Sequence, residues 1–258
     1  MTDRTSEHVV ATREEGVLLL RLDRPDKKNA LTGSMYDALT DAFRAADRPG
    51  SGIGAIVLTG GPGAFTAGND IAEFAAVACG ERSLDDRPSG RFIRTLARLE
   101  TPLVAAVDGV AVGIGTTLTL HCDLVYATPA ARFRMPFVDL GLVPEAGSSY
   151  LLPRRIGHAR AAELLMLGEG FDGAEAHRLG LVNALVAADA LVPHALAQAR
   201  RLAAKPRAAL AATRRLLRGE RDDLEAAMTD EVEAFTAALQ TPEAKAAFAR
   251  FLDRPARG

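Results

Sequence analysis

The sequence predicts an α/β protein with one large core followed by a helical region. Over residues 1–190, short apolar runs typical of strands alternate with segments that have the 3.6-residue spacing of helices. Two runs, Ile53–Thr59 and Leu103–Val107, are almost continuously apolar, as strands buried on both faces are. From about Asp189 only helical spacing remains. We therefore assign residues 1–190 to the α/β core and residues 191–258 to a C-terminal helical region.

The composition is that of a globular protein and excludes several classes of function. Hydrophobic residues make up 48% and charged residues 25% of the 258, so the chain can bury a core without disulfides or a structural metal. The two cysteines, Cys79 and Cys122, are too far apart in sequence to suggest a disulfide framework or a cysteine zinc site. The formal net charge of −2 indicates no basic surface for nucleic acid or for an anionic membrane.

The sequence also carries weak signals of location. The polar N-terminus and the lack of a long uninterrupted apolar run predict a cytoplasmic protein without a leader or a membrane span. Only four of the 31 basic residues are lysine, while alanine is abundant, which indicates a GC-rich bacterial gene. We expect neither nucleic acid nor a membrane among the partners.

The first half of the core is predicted to alternate between strands and helices. Val17–Leu22 has the spacing of a strand, and Ser34 is a candidate N-cap for a helix that runs to about Asp47. The strand Ile53–Thr59 follows, and a second helix is predicted near Arg91–Leu99. The expected apolar face of the first helix comprises Met35, Ala38, Leu39, Ala42 and Phe43.

Further helices are predicted later in the core and throughout the C-terminal region. Val110–Leu120 passes through a Gly-x-Gly turn into a helix. The C-terminal helices are predicted at Ala190–Ala204, Arg207–Leu217, Asp222–Leu239 and Glu243–Leu252. The residues expected on their buried faces are Val192, Leu196, Ala199, Leu202, Leu216 and Phe235, with the arginines in solvent. Such a helical region usually packs against another domain or subunit.

Two glycine-rich loops follow the two buried strands and are candidates for holding an oxyanion. Gly109–Gly115 leads into a helix that begins near Ile114, and the start of a helix has backbone N–H groups without partners. Gly60–Asp70 follows the strand Ile53–Thr59 and enters another helical stretch. Two such loops can direct N–H groups at one point and form an oxyanion hole. Each is also compatible with a plain strand–helix turn.

Glu145 is the acidic residue that most favours a catalytic role. It is the only acid between Asp139 and Glu163, and its neighbours are apolar. A carboxylate in an apolar pocket has a raised pKa, which suits a general base. The alternative is a helix start, with Pro144 at the first position and Glu145 stabilised by the helix dipole. The residues alone leave both interpretations open.

The other candidates are weaker. No Gly-x-Ser-x-Gly segment indicates a serine hydrolase, and the five histidines lack metal-ligand spacing, so no metal site is predicted. Lys27 and Lys28 could hold a phosphate or lie in a solvated turn. Asp70, judged by itself, is better interpreted as an acid at a helix N-terminus than as a catalyst.

Taken in order, these segments resemble the crotonase (enoyl-CoA hydratase/isomerase) superfamily from Val17 to about Val186. The matching segments are Arg24–Leu31, Phe65–Ile71, Ala106–Gly115, Cys122–Ala127 and Leu140–Gly157. The resemblance implies a crotonase-like spiral of ββα units with a C-terminal helical trimerisation region. It also implies an acyl-CoA thioester substrate, no cofactor beyond the coenzyme A of that substrate, and a homotrimer or a dimer of trimers.

The resemblance assigns roles to individual residues. The oxyanion hole would be formed by the backbone N–H groups of Asn69 and Ile114. The substrate and its coenzyme A would contact Lys27, Lys28, Ala30, Ala67, Gly68, Asp70, Ile71 and Gly113. The acyl chain is expected to lie against Phe74, Phe92, Phe137 and Leu140.

Two departures from the family pattern determine the expected reaction. Hydratases of the family carry two Glu residues at positions that Thr117 and Phe137 occupy here, so ordinary hydration is not expected. Pro144-Glu145-x-x-Ser148-Ser149-Tyr150 instead resembles the peroxisomal-type 3,2-trans-enoyl-CoA isomerase branch, in which this Glu is the single base. The prediction is therefore an enoyl-CoA delta isomerase with Glu145 as catalytic base. The alternatives are another crotonase reaction (hydration or thioester hydrolysis) and a non-catalytic acyl-CoA binder.

Overall fold

A computed structural model describes residues 2–70, 87–219 and 221–252, which contain eleven strands and ten α-helices. The strands are β1 (Thr2–Ser6), β2 (Val9–Glu14), β3 (Val17–Leu22), β4 (Ala55–Thr59), β5 (Ala64–Thr66), β6 (Leu103–Val107), β7 (Val110–Val112), β8 (Leu124–Ala127), β9 (Arg132–Arg134), β10 (Phe171–Asp172) and β11 (Ala184–Leu185). The helices are α1 (Gly33–Asp47), α2 (Pro88–Arg98), α3 (Ile114–Thr117), α4 (Ser148–Ile156), α5 (His158–Leu167), α6 (Gly173–Arg178), α7 (Ala188–Ala203), α8 (Arg207–Arg218), α9 (Arg221–Leu239) and α10 (Pro242–Leu252). Short 3-10 turns lie at Pro25–Lys27, Leu118–His121 and Val138–Leu140.

Seven of these strands form the main sheet, in the order β1-β2-β3-β4-β6-β8-β11. The pairs among β1, β2 and β3 are antiparallel, and those from β3 to β11 are parallel. The strands predicted at Val17–Leu22 and Leu103–Val107 are confirmed, and the one predicted from Ile53 begins at Ala55. All five residues of β4 and of β6 are buried, as the continuous apolar runs predicted.

Helices cover both faces of this parallel part. Successive residues of a strand point to opposite faces, so Val57 and Ala106 pack against α7. Leu58 and Ala105 belong instead to the larger core, which also contains the apolar faces of α1 and α2. This layering is the predicted α/β fold.

The second sheet has the order β10-β9-β7-β5. One of its strands lies in a segment where the sequence analysis predicted only a turn and a helix. Within Val110–Leu120, residues 110–112 are strand β7, because they pair with both β5 and β9. Gly113 then takes a φ of 56°, a left-handed conformation that glycine adopts readily. Helix α3 begins at Ile114, which confirms the predicted start, whereas the strand before it was not predicted.

The N-cap of helix α1 lies two residues earlier than the sequence indicated. The Thr32 hydroxyl accepts the Met35 N–H at 3.3 Å, so Thr32 is the N-cap, and Ser34 already lies inside the helix. The predicted apolar face is confirmed, since Met35, Ala38, Leu39, Ala42 and Phe43 are all buried. The second predicted helix begins at Pro88, and a proline in the first turn is well tolerated.

The four C-terminal helices are confirmed, with ends shifted by one or two residues. Ala199 and Phe235 are buried as expected, but Leu216 is 81% exposed. Helix α8 faces the core through Arg214 instead, whose guanidinium donates to the Asp123 carboxylate at 2.7 Å. The expectation of solvent-facing arginines is therefore wrong at Arg214, because a paired buried charge stands where an apolar contact was expected.

Helix α7 packs on the main sheet. The division between an α/β core and a C-terminal helical region at residue 190 stays a prediction. None of the described helices is long and apolar enough to span a membrane.

Candidate active site

The two glycine loops lie side by side because each contains a short strand, β5 or β7, and these two strands are neighbours. β5 leads towards Asn69 and β7 leads towards Ile114, and the two strands pair in parallel. Gly68 packs so closely on the second loop that a Cβ atom would lie 2.7 Å from the Val112 carbonyl oxygen. Only glycine permits that contact at a φ of 94°, so Gly68 brings Asn69 next to the turn at Gly113.

The N–H groups of Asn69 and Ile114 have no hydrogen-bond acceptor among the residues that the structure describes. Leu31 bonds the chain on both sides of Asn69: it donates to the Gly68 carbonyl at 2.7 Å and accepts from the Asp70 N–H at 2.9 Å. The Asn69 N–H therefore points away from Leu31. Ile114 is the first residue of α3, where the N–H has no acceptor within the helix. Two unpaired amides on adjacent loops can form an oxyanion hole.

The segment predicted to lie along coenzyme A is bonded to the first glycine loop. Asn29 is buried, and its side-chain NH₂ donates to the Ala64 carbonyl of β5 at 2.8 Å. The backbone carbonyl of Asn29 accepts the Thr66 hydroxyl at 2.7 Å. The Lys28 carbonyl accepts the Ala67 N–H at 2.9 Å. These bonds hold the segment in place, and the side chains of Lys27 and Lys28 face solvent.

Asp70 is paired within the protein. Its Oδ2 lies 2.7 Å from Nη1 of Arg24, and the same nitrogen donates to the Ala30 carbonyl at 3.0 Å. The ion pair thus links Ala30 to the end of the glycine loop. The helical stretch predicted after Asp70, together with Ile71 and Phe74, lies outside the described residues.

Glu145 lies in a turn and not at the start of a helix. Helix α4 begins at Ser148, so the interpretation of Pro144 as its first residue is wrong. Ala146 and Gly147 intervene with left-handed φ values of 59° and 70°. This conformation is costly for alanine and persists only where the surroundings hold it, so the turn is built to present Glu145 in one orientation.

The carboxyl group of Glu145 is surrounded by protein, although the residue is partly accessible through a pocket. Its Oε1 accepts the Thr117 hydroxyl at 2.8 Å. Burial raises the pKa of Glu145 to about 8; the hydrogen bond from Thr117 opposes this rise, and the negative charge of Glu231 adds to it. A carboxyl group with a pKa near neutral pH can both take up and return a proton.

His121 holds the back of the same turn. It is buried, and its Nε2 donates to the Ala146 carbonyl at 2.7 Å. Burial lowers the pKa of His121 to about 4, so the ring is neutral at neutral pH and needs its proton on Nε2 to make this bond. This is the satisfied core histidine that the absence of metal-ligand spacing suggested.

A pocket with about 540 Å³ of free space, including its open mouth, connects Glu145 to the first glycine loop. Its lining is mostly apolar and comes from widely separated parts of the chain. The residues are Asn69, Ser89, Gly90, Ile93, Arg94, Glu145, Ala146, Met228, Glu231, Val232 and Phe235. The expected contribution of Phe92, Phe137 and Leu140 is wrong. Phe92 packs inside the core against Tyr36 and Phe43, and Phe137 is also a core residue.

Sequence reasoning missed two features of this site. It treated Thr117 only as a missing acid, whereas its hydroxyl holds the Glu145 carboxyl. It also overlooked Glu231, which lies on a pocket-lining helix about 90 residues further along the chain. The available signal was an acid spaced three residues after Met228 and four before Phe235, on the apolar face of a helix.

Comparison with known proteins agrees with this architecture. The family model for Enoyl-CoA hydratase/isomerase matches residues 12–256. The solved structure of Pseudomonas aeruginosa OdaA has a TM-score of 0.91 and 45% identity, covering 96% of this chain and 100% of that one.

Curated relatives carry both hydratase and isomerase names. A probable enoyl-CoA hydratase, echA8 of Mycobacterium bovis, is 34% identical over 256 residues, covering 98% of this chain and 97% of that protein. Human enoyl-CoA delta isomerase 2 is 33% identical over 264 residues, covering 99% of this chain and 66% of that protein. With the family model spanning almost the whole sequence, the chain is a member of the enoyl-CoA hydratase/isomerase family, within the crotonase superfamily.

Proposed function

We propose that the protein is an isomerase that converts 3-enoyl-CoA into trans-2-enoyl-CoA, with Glu145 as its single base. The observation that carries this proposal is the position of Glu145: its carboxyl lies on the wall of an apolar pocket that also reaches Asn69. The Thr117 hydroxyl at 2.8 Å connects that carboxyl to α3, whose first N–H belongs to Ile114. The shared pocket of Glu145 and Asn69, and the link through Thr117 to the helix that Ile114 begins, support a single site for the base and the oxyanion donors.

The chemistry needs only these groups. Glu145 removes a proton from C2 of the 3-enoyl thioester, and the electrons move through the double bond to give a dienolate. The N–H groups of Asn69 and Ile114 stabilise the negative thioester oxygen, each by about 3 kcal/mol in the transition state. Glu145 then returns the same proton at C4, which leaves the double bond between C2 and C3. Substrate and product have the same atoms, so no cofactor is required beyond the coenzyme A of the substrate.

Hydration is the second candidate, because Glu231 places another carboxyl group on the pocket wall. Relatives named hydratases also support it. Against it, Glu231 accepts three hydrogen bonds from the protein, which occupy three of its about four lone-pair positions and stabilise it as a carboxylate that is a weaker base for water. Isomerisation therefore fits the available groups better.

Product analysis with 3-hexenoyl-CoA tests the proposal. We expect an unchanged mass with the double bond moved to C2, whereas a gain of water indicates hydration and free coenzyme A indicates hydrolysis. Glu145→Gln should lower kcat/KM by about 10²- to 10⁴-fold, the usual contribution of a general base. Glu169→Gln, an equivalent change at an exposed residue, should leave the rate unchanged. If wild-type protein is no faster than Glu145→Gln, or if the substrate binds without turnover, the isomerase assignment fails.

We also propose that the protein assembles as a homotrimer or as a dimer of trimers, which the crotonase resemblance implies. The support in this chain is the neighbouring pair Leu216 and Leu217 on α8, which are 81% and 83% exposed. Two adjacent exposed leucines on a C-terminal helix are what a subunit contact would cover.

A further inference from the structure

Helix α9 forms one wall of the substrate pocket, and it carries a buried acid there. Met228, Val232 and Phe235 present the apolar side of the helix to the pocket, and Glu231 lies among them. Only 7% of Glu231 is exposed. A carboxyl group so placed must be held by hydrogen bonds or lose its charge, because burial without partners is costly.

Those hydrogen bonds come from Gly147 and Ser149, which lie two and four residues after Glu145. Oε2 of Glu231 accepts the Gly147 N–H at 2.6 Å, and Oε1 accepts both the N–H and the hydroxyl of Ser149, at 2.9 and 2.6 Å. Both N–H groups belong to the start of the nine-residue helix α4, where no intrahelical acceptor exists. Glu231 is therefore the cap of α4, supplied from another part of the chain. Burial raises the pKa of Glu231, while the hydrogen bonds from Ser149 and Gly147 oppose that rise and the helix dipole favours the negative charge.

The turn that Glu231 caps is the one that presents Glu145. It contains Ala146 in a left-handed conformation, so its shape depends on outside contacts. Three side chains supply them: Thr117 bonds the carboxyl, His121 bonds the Ala146 carbonyl, and Glu231 bonds the Gly147 N–H. Helix α9 also packs directly on the turn, since a Cβ on Gly147 would lie 2.5 Å from the Leu224 side chain.

We propose that Glu231 is a positioning residue for the reaction: from helix α9 it fixes the turn that carries Glu145 and keeps a second negative charge beside the base. We assign the proton transfer to Glu145 and not to Glu231, because Glu231 is 7% exposed and three donors of α4 and the turn occupy most of its acceptor positions. The C-terminal helical region therefore contributes to catalysis as well as to the pocket wall. This inference rests on the proposed role of Glu145 as base.

The charge of Glu231 acts on Glu145 in a defined direction. A neighbouring carboxylate disfavours ionisation of Glu145 and so raises its pKa. Among the residues that the structure describes, Arg94 of α2 also lines this pocket, and His121, which bonds the same turn, is neutral at neutral pH. Removing the negative charge of Glu231 should let Glu145 ionise at lower pH.

Two substitutions separate position from charge. Glu231→Gln keeps the length of the side chain and removes the charge, and its NH₂ group cannot accept the Gly147 N–H. Glu231→Asp keeps the charge but is one methylene shorter, so it cannot reach both Gly147 and Ser149. Glu233→Gln, on the exposed side of the same helix, is the matched control for loss of one negative charge.

Two readouts follow Glu145 in these variants. The first is the pH dependence of kcat/KM with 3-hexenoyl-CoA. The second is the titration of the Glu145 carboxyl in substrate-free protein, measured by infrared difference spectroscopy against the same protein with Glu145→Gln. The spectroscopic titration needs no turnover, so it tests Glu231 even if the isomerase assignment fails.

We expect Glu231→Gln to move the Glu145 titration and the acid limb of kcat/KM to lower pH, and to lower kcat. Glu231→Asp should lower kcat about tenfold or more with little change in KM, because a misplaced catalytic group slows the chemical step more than binding. The acid limb of kcat/KM in Glu231→Asp should stay nearer to that of the wild type than in Glu231→Gln, because the negative charge is kept. If Glu231→Gln fails to fold, Glu231→Asp alone decides.

The inference is overturned if Glu231→Asp keeps wild-type kcat, or if Glu231→Gln shifts Glu145 no more than Glu233→Gln does. A shift in the spectroscopic titration without any isomerase activity in the wild type would mean that the proposed reaction is wrong while Glu231 still controls Glu145.

Discussion

At the scale of single residues, the most informative side chain is Thr117, because the crotonase resemblance implies an acid at this position in hydratases, whereas here a hydroxyl bonds Glu145. Its hydroxyl donates to Glu145 Oε1 at 2.8 Å and so stabilises the ionised carboxylate. Thr117→Val removes this donor while keeping the shape, and the pKa of Glu145 should rise above about 8.

The acid limb of kcat/KM should therefore move to higher pH, the opposite of the shift expected for loss of the Glu231 charge. A pH–rate profile measures it, with Thr236→Val on the exposed side of α9 as the surface control. An unchanged limb would mean that the Thr117 bond does not act on the base.

Glu145 should also make the stability of the protein depend on pH. A carboxyl whose pKa is raised from 4.5 to about 8 on folding keeps its proton in the native state and loses it in the unfolded state between those values. Over that range the group lowers the free energy of unfolding by about 1.4 kcal/mol per pH unit at most, and above about 8 the loss is complete.

The Glu145→Gln variant lacks this titration. Its melting temperature relative to the wild type should therefore rise between pH 5 and pH 8. Calorimetry at several pH values measures the difference. A difference that stays constant with pH would contradict the raised pKa.

The sequence made Glu145 a candidate as one acid in an apolar stretch, and the resemblance to the crotonase superfamily decided between a base and a helix start. The glycine patterns indicated the two loops, and the resemblance named Asn69 and Ile114 within them. Thr117 and Glu231 escaped because their roles depend on contacts across 28 and 84 residues of chain, which no spacing encodes. The prediction of Ser34 instead of Thr32 as the N-cap of α1 was a smaller error, since both residues have the required hydroxyl.

At the scale of elements, the close contact between the two glycine loops determines whether the two amides can act together. Gly68 touches the Val112 carbonyl and has a φ of 94°. Gly68→Ala adds a Cβ at 2.7 Å from that oxygen, which must push the loops apart and separate the N–H groups. We expect kcat to fall by about 10²-fold or more, in line with the loss of one oxyanion donor.

Gly63 provides a matched control for this substitution. Its φ of 74° is also left-handed, but a Cβ there would meet no atom within 4 Å. Gly63→Ala therefore carries the same kind of conformational cost, about 1 kcal/mol, without the collision. Steady-state kinetics on the two folded variants measure the comparison. Similar kcat values would show that the contact at Gly68 does not align the oxyanion donors.

Elements were predicted where periodicity alone decides them and missed where pairing decides them. Helix α1 and the C-terminal helices follow from apolar spacing, and β4 and β6 follow from continuous apolar runs. The segment Val110–Leu120 has helix-like composition, yet its first residues pair with β5 and β9 and become strand β7. Tertiary pairing overrides local preference there.

At the scale of the whole molecule, the C-terminal helices have two surfaces with different uses. The inner surface of α9 lines the pocket, and α8 docks on the core through Arg214. The outer surface of α8 exposes Leu216 and Leu217, although apolar spacing had predicted burial of Leu216. A subunit contact at this surface would reconcile the spacing with the exposure, since the leucines would then be buried by another copy of the chain.

The assembly should therefore have a mass that is a multiple of three chains of 27.2 kDa, and it should depend on these two leucines. Fully burying a leucine contributes about 1.5–3 kcal/mol, and a charge in its place adds a desolvation cost. The double variant Leu216→Glu/Leu217→Glu should accordingly dissociate at concentrations where the wild type stays assembled. Size-exclusion chromatography with light scattering measures both masses. The control is Met166→Glu/Leu167→Glu, because these neighbouring residues of α5 are also exposed, at 69% and 59%. A monomeric wild type would exclude the assembly, and dissociation of the α5 variant alone would place the contact on α5 instead of α8.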